Sequence, residues 1–370
     1  MKWLVTGATG AVVSEIVTRL LAAGDQVVVI VRDADGDATR ASRRAQRYLG
    51  EHDGLRVLVG DVSRECCGLA SETVQALRAE RLDGFVHGAA ELAYNGTETL
   101  STNVLGTVHA LSLAHALSVR HFVFLSTAYV AGSQRRFLEN EVGSLSRAKN
   151  DYERSKIAAE ALVRSLWPNP VILRISIMVG DSATGRIKDF NGYYGFLGSI
   201  AFFRRLVLPY RDAPIFLGVD EETGNGVDSS ASLNLVPNDW GTDMIMLILD
   251  DLRSGGSRAT ELATFHITHP QPVSMGWLFE TSFGTLDVPV SCTINVSHPD
   301  GKRRGLTKKV RKSTVDVFAH YVQTPFDFGA NEHLRALPGY RPPPPVDEQV
   351  VRKLIDYALE VQFGRASASA

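Results

Sequence analysis

Cysteine is scarce in this 370-residue chain. The only ones are Cys66, Cys67 and Cys292, an odd set that gives no disulfide framework and fits a reducing compartment. The ten histidines form no HExxH or paired Cys/His spacing, so zinc-finger and zincin sites are excluded and no metal is expected. A GxxxxGK[ST] loop is missing too, which removes the P-loop nucleotidases. No apolar run approaches the roughly 20 residues of a bilayer-spanning helix, so no membrane span is expected. Charge of one sign is also lacking: 39 Lys and Arg against 41 Asp and Glu leave a net charge of −2, which offers no field for nucleic acid. The first apolar run begins at Trp3, directly behind Met1, so no signal peptide is expected and the chain reads as cytoplasmic.

With 44% hydrophobic and 22% charged residues, the chain has material for a sizeable core, as one large α/β domain with an elaborated C-terminal part or as two domains. It organises around Val5-Thr6-Gly7-Ala8-Thr9-Gly10-Ala11-Val12-Val13. Trp3 to Val5 reads as a buried strand, Gly7 allows a sharp turn, and Gly10 removes a side chain where a phosphate approaches. The amphipathic helix that follows, about Ala11 to Ala23, turns its positive end toward that anion. This is the dinucleotide-binding logic of a Rossmann fold. The usual third glycine is Val13, which is expected to push the helix outward or to force its neighbours to be small.

Val27 to Val31 is a β-branched run and reads as a second strand buried on both faces. An acid at its end would accept hydrogen bonds from the adenosine ribose, whereas an arginine pairs with a 2′-phosphate. Here Arg32 follows, with Arg40, Arg43 and Arg44 beyond it. NADPH is therefore expected, and Asp33 keeps NADH open. Arg56 to Val59 is a third strand running into Gly60-Asp61-Val62, where Asp61 can reach the adenine. Leu82 to His87 is a fourth, followed by the small residues Gly88-Ala89-Ala90. A helix from Asn103 through Ala116 precedes a fifth strand, Phe122 to Leu125, which delivers Ser126-Thr127-Ala128-Tyr129 to the same carboxyl-end rim. Strands alternating with helices at this rhythm predict a doubly wound parallel sheet.

Tyr152 and Lys156 stand four apart at the start of a helix and share one face. An ammonium beside a phenol stabilises the phenolate, so the Tyr152 pKa is expected to fall from about 10 toward neutrality. The tyrosine then exchanges a proton near physiological pH, while a hydroxyl from Thr127 or Ser126 holds the substrate oxygen.

In this order the motifs resemble the extended short-chain dehydrogenase/reductases, and the resemblance runs over nearly the whole chain. It rests on Thr6-Gly7-Ala8-Thr9-Gly10, Gly60-Asp61-Val62, His87 to Ala90, Asn103 to Thr107, Ser126 to Gly132 and Tyr152 to Lys156. It implies Thr127, Tyr152 and Lys156 as the catalytic triad, with Lys156 also on the nicotinamide ribose. The cofactor site is assigned to Gly7, Thr9, Gly10, Ala11, Val12, Arg32, Asp61, Val62, Ala89, Ala90, Asn103, Ser126, Tyr152, Lys156, Ile175 and Ile177. Ile175 stands where that family usually has a proline. Ser126 to Gly132, Val179 to Ser182, Asp189 to Tyr194 and Leu233 to Trp240 are most similar to the male-sterility-like branch of thioester reductases and fatty acyl-CoA reductases. Members of that branch reduce acyl thioesters, held on a carrier protein or coenzyme A, to aldehydes or alcohols.

Residues 1–180 are thus expected to form the NAD(P)-binding Rossmann domain, with a strand returning near 263–268. Residues 181–370 are read mainly as a substrate-binding lobe and a C-terminal helix at about Asp347 to Val361. The aromatic segment Tyr193, Tyr194, Phe196, Phe202 and Phe203 either lines an apolar substrate chamber or packs the core of this lobe. The basic run Lys302-Arg303-Arg304 and Lys308-Lys309-Val310-Arg311-Lys312 is a solvated face, or meets the phosphates of coenzyme A or an acidic acyl carrier protein. Pro342 to Pro345 reads as a stiff spacer, and the Arg-Ala-Ser-Ala-Ser-Ala tail as disordered. The reading is an NAD(P)H-dependent reductase of a hydrophobic acyl thioester, with no carrier domain of its own in the sequence. Its alternatives are a stand-alone ketone or aldehyde reductase, a nucleotide-sugar epimerase or dehydratase, and a non-catalytic NADP-binding protein.

Overall fold

The computed structural model describes residues 1–33, 37–94, 96–211, 215–219, 226–292, 301–314, 321 and 324–364. The first half alternates strictly: β1 (Lys2–Thr6), α1 (Ala11–Ala22), β2 (Gln26–Val31), α2 (Ala38–Leu49), β3 (Leu55–Val59), α3 (Ser71–Ala79) and β4 (Gly84–His87). A one-turn helix α4 (Thr97–Leu100), a wide π-type turn at Ser101–Leu105 and α5 (Gly106–Leu117) follow one another without a break, so the helix expected from Asn103 starts earlier, at Thr97. Asn103 lies in the π-type turn, with its side chain bonded to the loop after β4 and to a neighbouring helix. Next come β5 (His121–Thr127), α6 (Asp151–Leu166), β6 (Val171–Ile175), β7 (Ile177–Val179), α7 (Tyr193–Val207), β8 (Ile215–Phe216), β9 (Ser232–Leu233) and β10 (Leu235–Pro237). Then follow α8 (Asn238–Arg253), α9 (Arg258–Leu262), β11 (Thr264–Ile267), β12 (Val273–Ser274), α10 (Met275–Thr285), β13 (Val290–Ser291), α11 (Gly301–Thr314), α12 (Glu332–Arg335) and α13 (Glu348–Glu360).

Seven strands form one parallel sheet in the order β11-β6-β5-β4-β1-β2-β3. This is the doubly wound Rossmann arrangement that the alternation predicts. Chain order reverses at β1, flanked by β2 and β4, and such a switch point opens a crevice at the carboxyl ends of the strands. Register brings those ends together: Thr6 pairs with Ile30 and His87, and Thr127 with Ile175.

Successive side chains of a strand face opposite ways, and the apolar runs split accordingly. Trp3, Val5, Val27 and Val29 pack under α1 and α8, against Ile16, Val17, Met244 and Ile248. Leu4, Val28, Ile30 and Phe85 pack under α5 and α6, against Leu111, Ala114, Ala159 and Val163. The segment that returns to the sheet is more than one strand: residues of α8, α9, β11 and α12 all join the first of these cores. A separate core of α7, α10 and α13 with Val310 builds the second lobe, and its short strands pair as β10-β7, β12-β9 and β13-β8. Helix α11 carries the basic run, buries Val310 and leaves Lys308, Lys309 and Lys312 exposed. The side chains of Lys302, Arg303 and Arg304, and the tail at 365–370, lie outside the described residues.

Candidate active site

The crevice is a cavity of about 730 Å³ that runs from the glycine loop to the second lobe. At its nucleotide end Gly7 has φ +79°, and a Cβ there would lie 2.5 Å from the Gly88 carbonyl carbon. Two backbone segments therefore touch where a side chain would hold them apart. Helix α1 begins at Gly10 with no side-chain cap and no acid in its first turn. Its first N–H groups and positive end are left for an anion. Val13 is buried rather than displaced, and the neighbour that yields is Gly88, where a Cβ would meet Val13 Cγ2 at 2.5 Å.

Arg32 and Asp61 line the same cavity. Burial works against the Asp61 charge, yet the Ser63 N–H at 2.9 Å, the Ser63 hydroxyl and the charges of Arg32 and Arg64 hold this carboxyl below its ordinary range. Arg44 donates to the Arg32 carbonyl at 3.4 Å, which brings a second guanidinium to the same corner.

At the other end, α6 presents Tyr152 and Lys156. The helix starts where the sequence caps it: the Asn150 side chain accepts from Glu153 N at 2.8 Å, and the Glu153 carboxylate accepts from Lys149 N at 2.7 Å. It is fixed to the sheet by a buried ion pair in which Arg174 on β6 donates from Nε and Nη2 to Glu160 at 3.0 and 2.8 Å. Arg174 also donates to the Glu141 carbonyl at 2.8 Å and stacks on Phe137 at 4.7 Å. A buried guanidinium is tolerated only with such complete pairing.

Lys156 Nζ donates to the Leu125 carbonyl at 2.9 Å and lies 5.0 Å above the Phe124 ring. Burial pushes its pKa down to about 8, with Glu160 pulling the other way. Tyr152 corrects the expected fall toward neutrality. Burial raises this phenol above its ordinary value, Tyr94 adds to the rise, the Thr127 hydroxyl pulls it back as a hydrogen-bond partner, and Glu153 raises it further. Lys156 is not among the groups that shift it. Tyr152 is thus held as a proton-bearing phenol. Thr127 accepts from Tyr129 N at 3.2 Å, and the buried Ser126 Oγ has no partner among the described residues. His87, beneath, bonds Thr6 Oγ1 at 2.7 Å; burial and then the Lys156 charge push it down to about 3, so it stays neutral.

Thr127 and fifteen of the residues assigned to the cofactor line this cavity: Gly7, Thr9, Gly10, Ala11, Val12, Arg32, Asp61, Val62, Ala89, Ala90, Ser126, Tyr152, Lys156, Ile175 and Ile177. Asn103 is outside that lining and is a strut. Its amide donates to Ser155 Oγ at 2.8 Å and to the Glu91 carbonyl at 3.0 Å, and its oxygen accepts from Glu91 N at 2.7 Å. Ser155 in turn donates to the Tyr152 carbonyl at 2.7 Å.

The aromatic segment divides between its two readings. Tyr193 and Phe196 line the cavity, whereas Tyr194, Phe202 and Phe203 line a separate groove of about 340 Å³; all but Phe202 are buried in the core of the lobe. Phe196 stacks on Phe279 at 4.1 Å and 8°, and Ile187, Leu233 and Met275 extend this apolar wall. Met275, Phe279 and Tyr321 carry no sequence signal, because two-residue strands and tertiary packing bring them in.

The uncapped helix end, the Gly7–Gly88 approach and the unpartnered Ser126 hydroxyl suit a dinucleotide. Comparisons with known proteins agree. The male sterility protein family matches residues 5–240. The isonitrile lipopeptide synthase of Mycobacterium tuberculosis is 26% identical over 319 residues, which is 76% of this chain and 12% of that protein. A UDP-glucose 4-epimerase of Mus musculus is 26% identical over 224 residues, 56% of this chain and 63% of the epimerase. The chain therefore spans less than two thirds of either relative. The terminal R domain from the myxalamid PKS-NRPS biosynthetic pathway superposes with a TM-score of 0.75 at 20% identity, covering 98% of this chain and 91% of that one, a likeness of fold. This chain belongs to the male sterility protein family, an NAD-binding family.

Proposed function

We propose that the protein reduces the carbonyl of a hydrophobic acyl thioester with NADPH. The observation that carries this reading is the meeting of two walls in one cavity. Thr127, Tyr152 and Lys156 stand on the sheet side, and Ile187, Phe196, Met275 and Phe279 on the lobe side. When bound, the reduced dinucleotide supplies the hydride. Tyr152 carries the proton for the carbonyl oxygen, Thr127 orients that oxygen through its hydroxyl, and Lys156 holds the ribose and favours the Tyr152 phenolate by its positive charge. Hydride at the thioester carbon and a proton on its oxygen give a hemithioacetal, which collapses to aldehyde and free thiol. A second turnover on the aldehyde gives the alcohol.

NADPH is favoured over NADH because Arg32, with Arg44 beside it, faces the adenosine end. The acyl group comes on coenzyme A or on a carrier protein, a reading supported by the kinship with a lipopeptide synthase. We assign the residues after 180, apart from the returning α8 to β11 segment, to substrate binding. Among the described residues no helix is long and apolar enough to cross a membrane, and a cytoplasmic site of action fits. The second reading, a ketone or aldehyde reductase, uses the same residues without thiol release. NADPH oxidation with acyl-CoA thioesters, long aldehydes and aromatic ketones, with free thiol assayed in parallel, separates the two.

A further inference from the structure

The first turn of α6 is gripped from two sides, and each grip comes from a tyrosine that lines the cavity. On one side Asp151 N donates to the Tyr94 carbonyl at 2.9 Å, and the Asp151 carboxylate accepts from Gly96 N at 3.2 Å. On the other, Asn150 Nδ2 donates to the Tyr321 hydroxyl at 2.9 Å, and that hydroxyl donates to Glu153 Oε1 at 3.0 Å. Asn150 and Glu153 are both buried. The Tyr94 and Tyr321 rings meet at 5.6 Å. Tyr152, between Asp151 and Glu153, therefore has both its chain neighbours held by groups that face the substrate.

Tyr321 is not an isolated contact. The chain just beyond it is pinned across the site: Asp327 N donates to the Arg135 carbonyl at 2.7 Å, Phe137 N to the Asp327 carbonyl at 2.9 Å, and Phe326 N to Ser232 Oγ at 3.3 Å. Its ring stands edge-on to Tyr129 at 4.9 Å and 78°, two residues from Thr127. With one proton given and one hydrogen bond accepted, the Tyr321 hydroxyl is fully engaged by the cap of the catalytic helix.

We propose that Tyr321 is a positioning residue for carbonyl reduction: wedged between Asn150 and Glu153, it sets the first turn of α6 and with it the placement of the Tyr152 phenol against Thr127. It links this placement to a ring that lines the cavity, so that one side chain both faces the substrate space and aligns the proton donor. The proposal rests on Tyr152 being that donor.

Tyr321→Phe keeps the ring and removes only the hydroxyl. In the full chain, with NADPH and either dodecanoyl-CoA or dodecanal, kcat is expected to fall roughly tenfold, as misplacement of a reacting group does, with KM and the NADPH Kd unchanged. Amide hydrogen exchange at residues 149–155 is expected to quicken. A raised KM with kcat intact, or unchanged exchange in that turn, overturns the proposal. If Tyr152→Phe keeps full activity, the assignment of the proton donor fails instead, and the exchange measurement still decides whether Tyr321 sets the helix.

Discussion

Val13 and Gly88 share a space that holds one side chain and not two: a Cβ on Gly88 would lie 2.5 Å from Val13 Cγ2, 3.2 Å from Leu125 Cδ2 and 3.4 Å from the Thr6 carbonyl oxygen. The volume usually freed by a third glycine on the helix is here freed on the facing loop. Gly88→Ala is therefore expected to cost about 1–3 kcal/mol, the usual range for overpacking, and to weaken NADPH binding. Val13→Ala combined with Gly88→Ala should recover much of that loss. Urea denaturation and a fluorescence titration with NADPH read both effects.

Arg32 is exposed and lines the cavity with Asp61, at the end proposed for the adenosine. Arg32→Ala is expected to raise the KM for NADPH by about tenfold to a hundredfold, the worth of a charge-assisted hydrogen bond, and to leave that for NADH nearly unchanged. The ratio of the two kcat/KM values is the readout.

Burial holds Lys156 down to about 8, which costs stability wherever the group must be charged in the fold. Above that pKa the folded chain has lost the proton that the unfolded chain keeps up to about 10.4. Stability should therefore rise with pH across this window. Lys149, also held down to about 8 by burial, contributes a rise of the same sign. Lys156→Met is expected to abolish turnover, to raise the unfolding free energy by on the order of 2 kcal/mol at pH 7, and to lose that advantage by pH 10.5. Denaturation of both proteins at pH 7, 9 and 10.5 checks the sign.

The Arg174–Glu160 pair holds α6 to β6 in the dry interior. Arg174→Met alone leaves a buried carboxylate and should cost about 3–5 kcal/mol. Arg174→Met with Glu160→Leu should cost markedly less, which a double-mutant cycle by urea denaturation measures.

Much of this fold is legible in the chain because its signals are local. The run Val27 to Val31 can only be a strand buried on both faces, and the Gly7 turn ties the first strand to its helix. The crowding at Val13 was foreseeable, but the residue that relieves it was not, since Gly88 is distant in sequence and meets Val13 only through the pairing of β1 with β4. Asn103 stands in a family motif, but nothing local in the sequence shows that its side chain bridges Glu91 and Ser155. The burial that raises the Tyr152 pKa is equally invisible in the sequence. Helical spacing places an ammonium near the phenol, but it does not reveal that the Leu125 carbonyl takes the ammonium or how deeply both groups are buried. Phe279 and Tyr321 reach the cavity by packing alone, and no periodicity marks them.

The proposed role of Tyr152 is to protonate a thioester carbonyl. Its most direct test is NADPH oxidation with dodecanoyl-CoA, with free coenzyme A titrated as it appears, for the unmodified chain and for Tyr152→Phe. Oxidation matched by thiol release, and lowered by about a hundredfold or more in Tyr152→Phe, is the expected result. Oxidation with aldehydes or ketones alone and no thiol released, or full activity without the phenol, would contradict it.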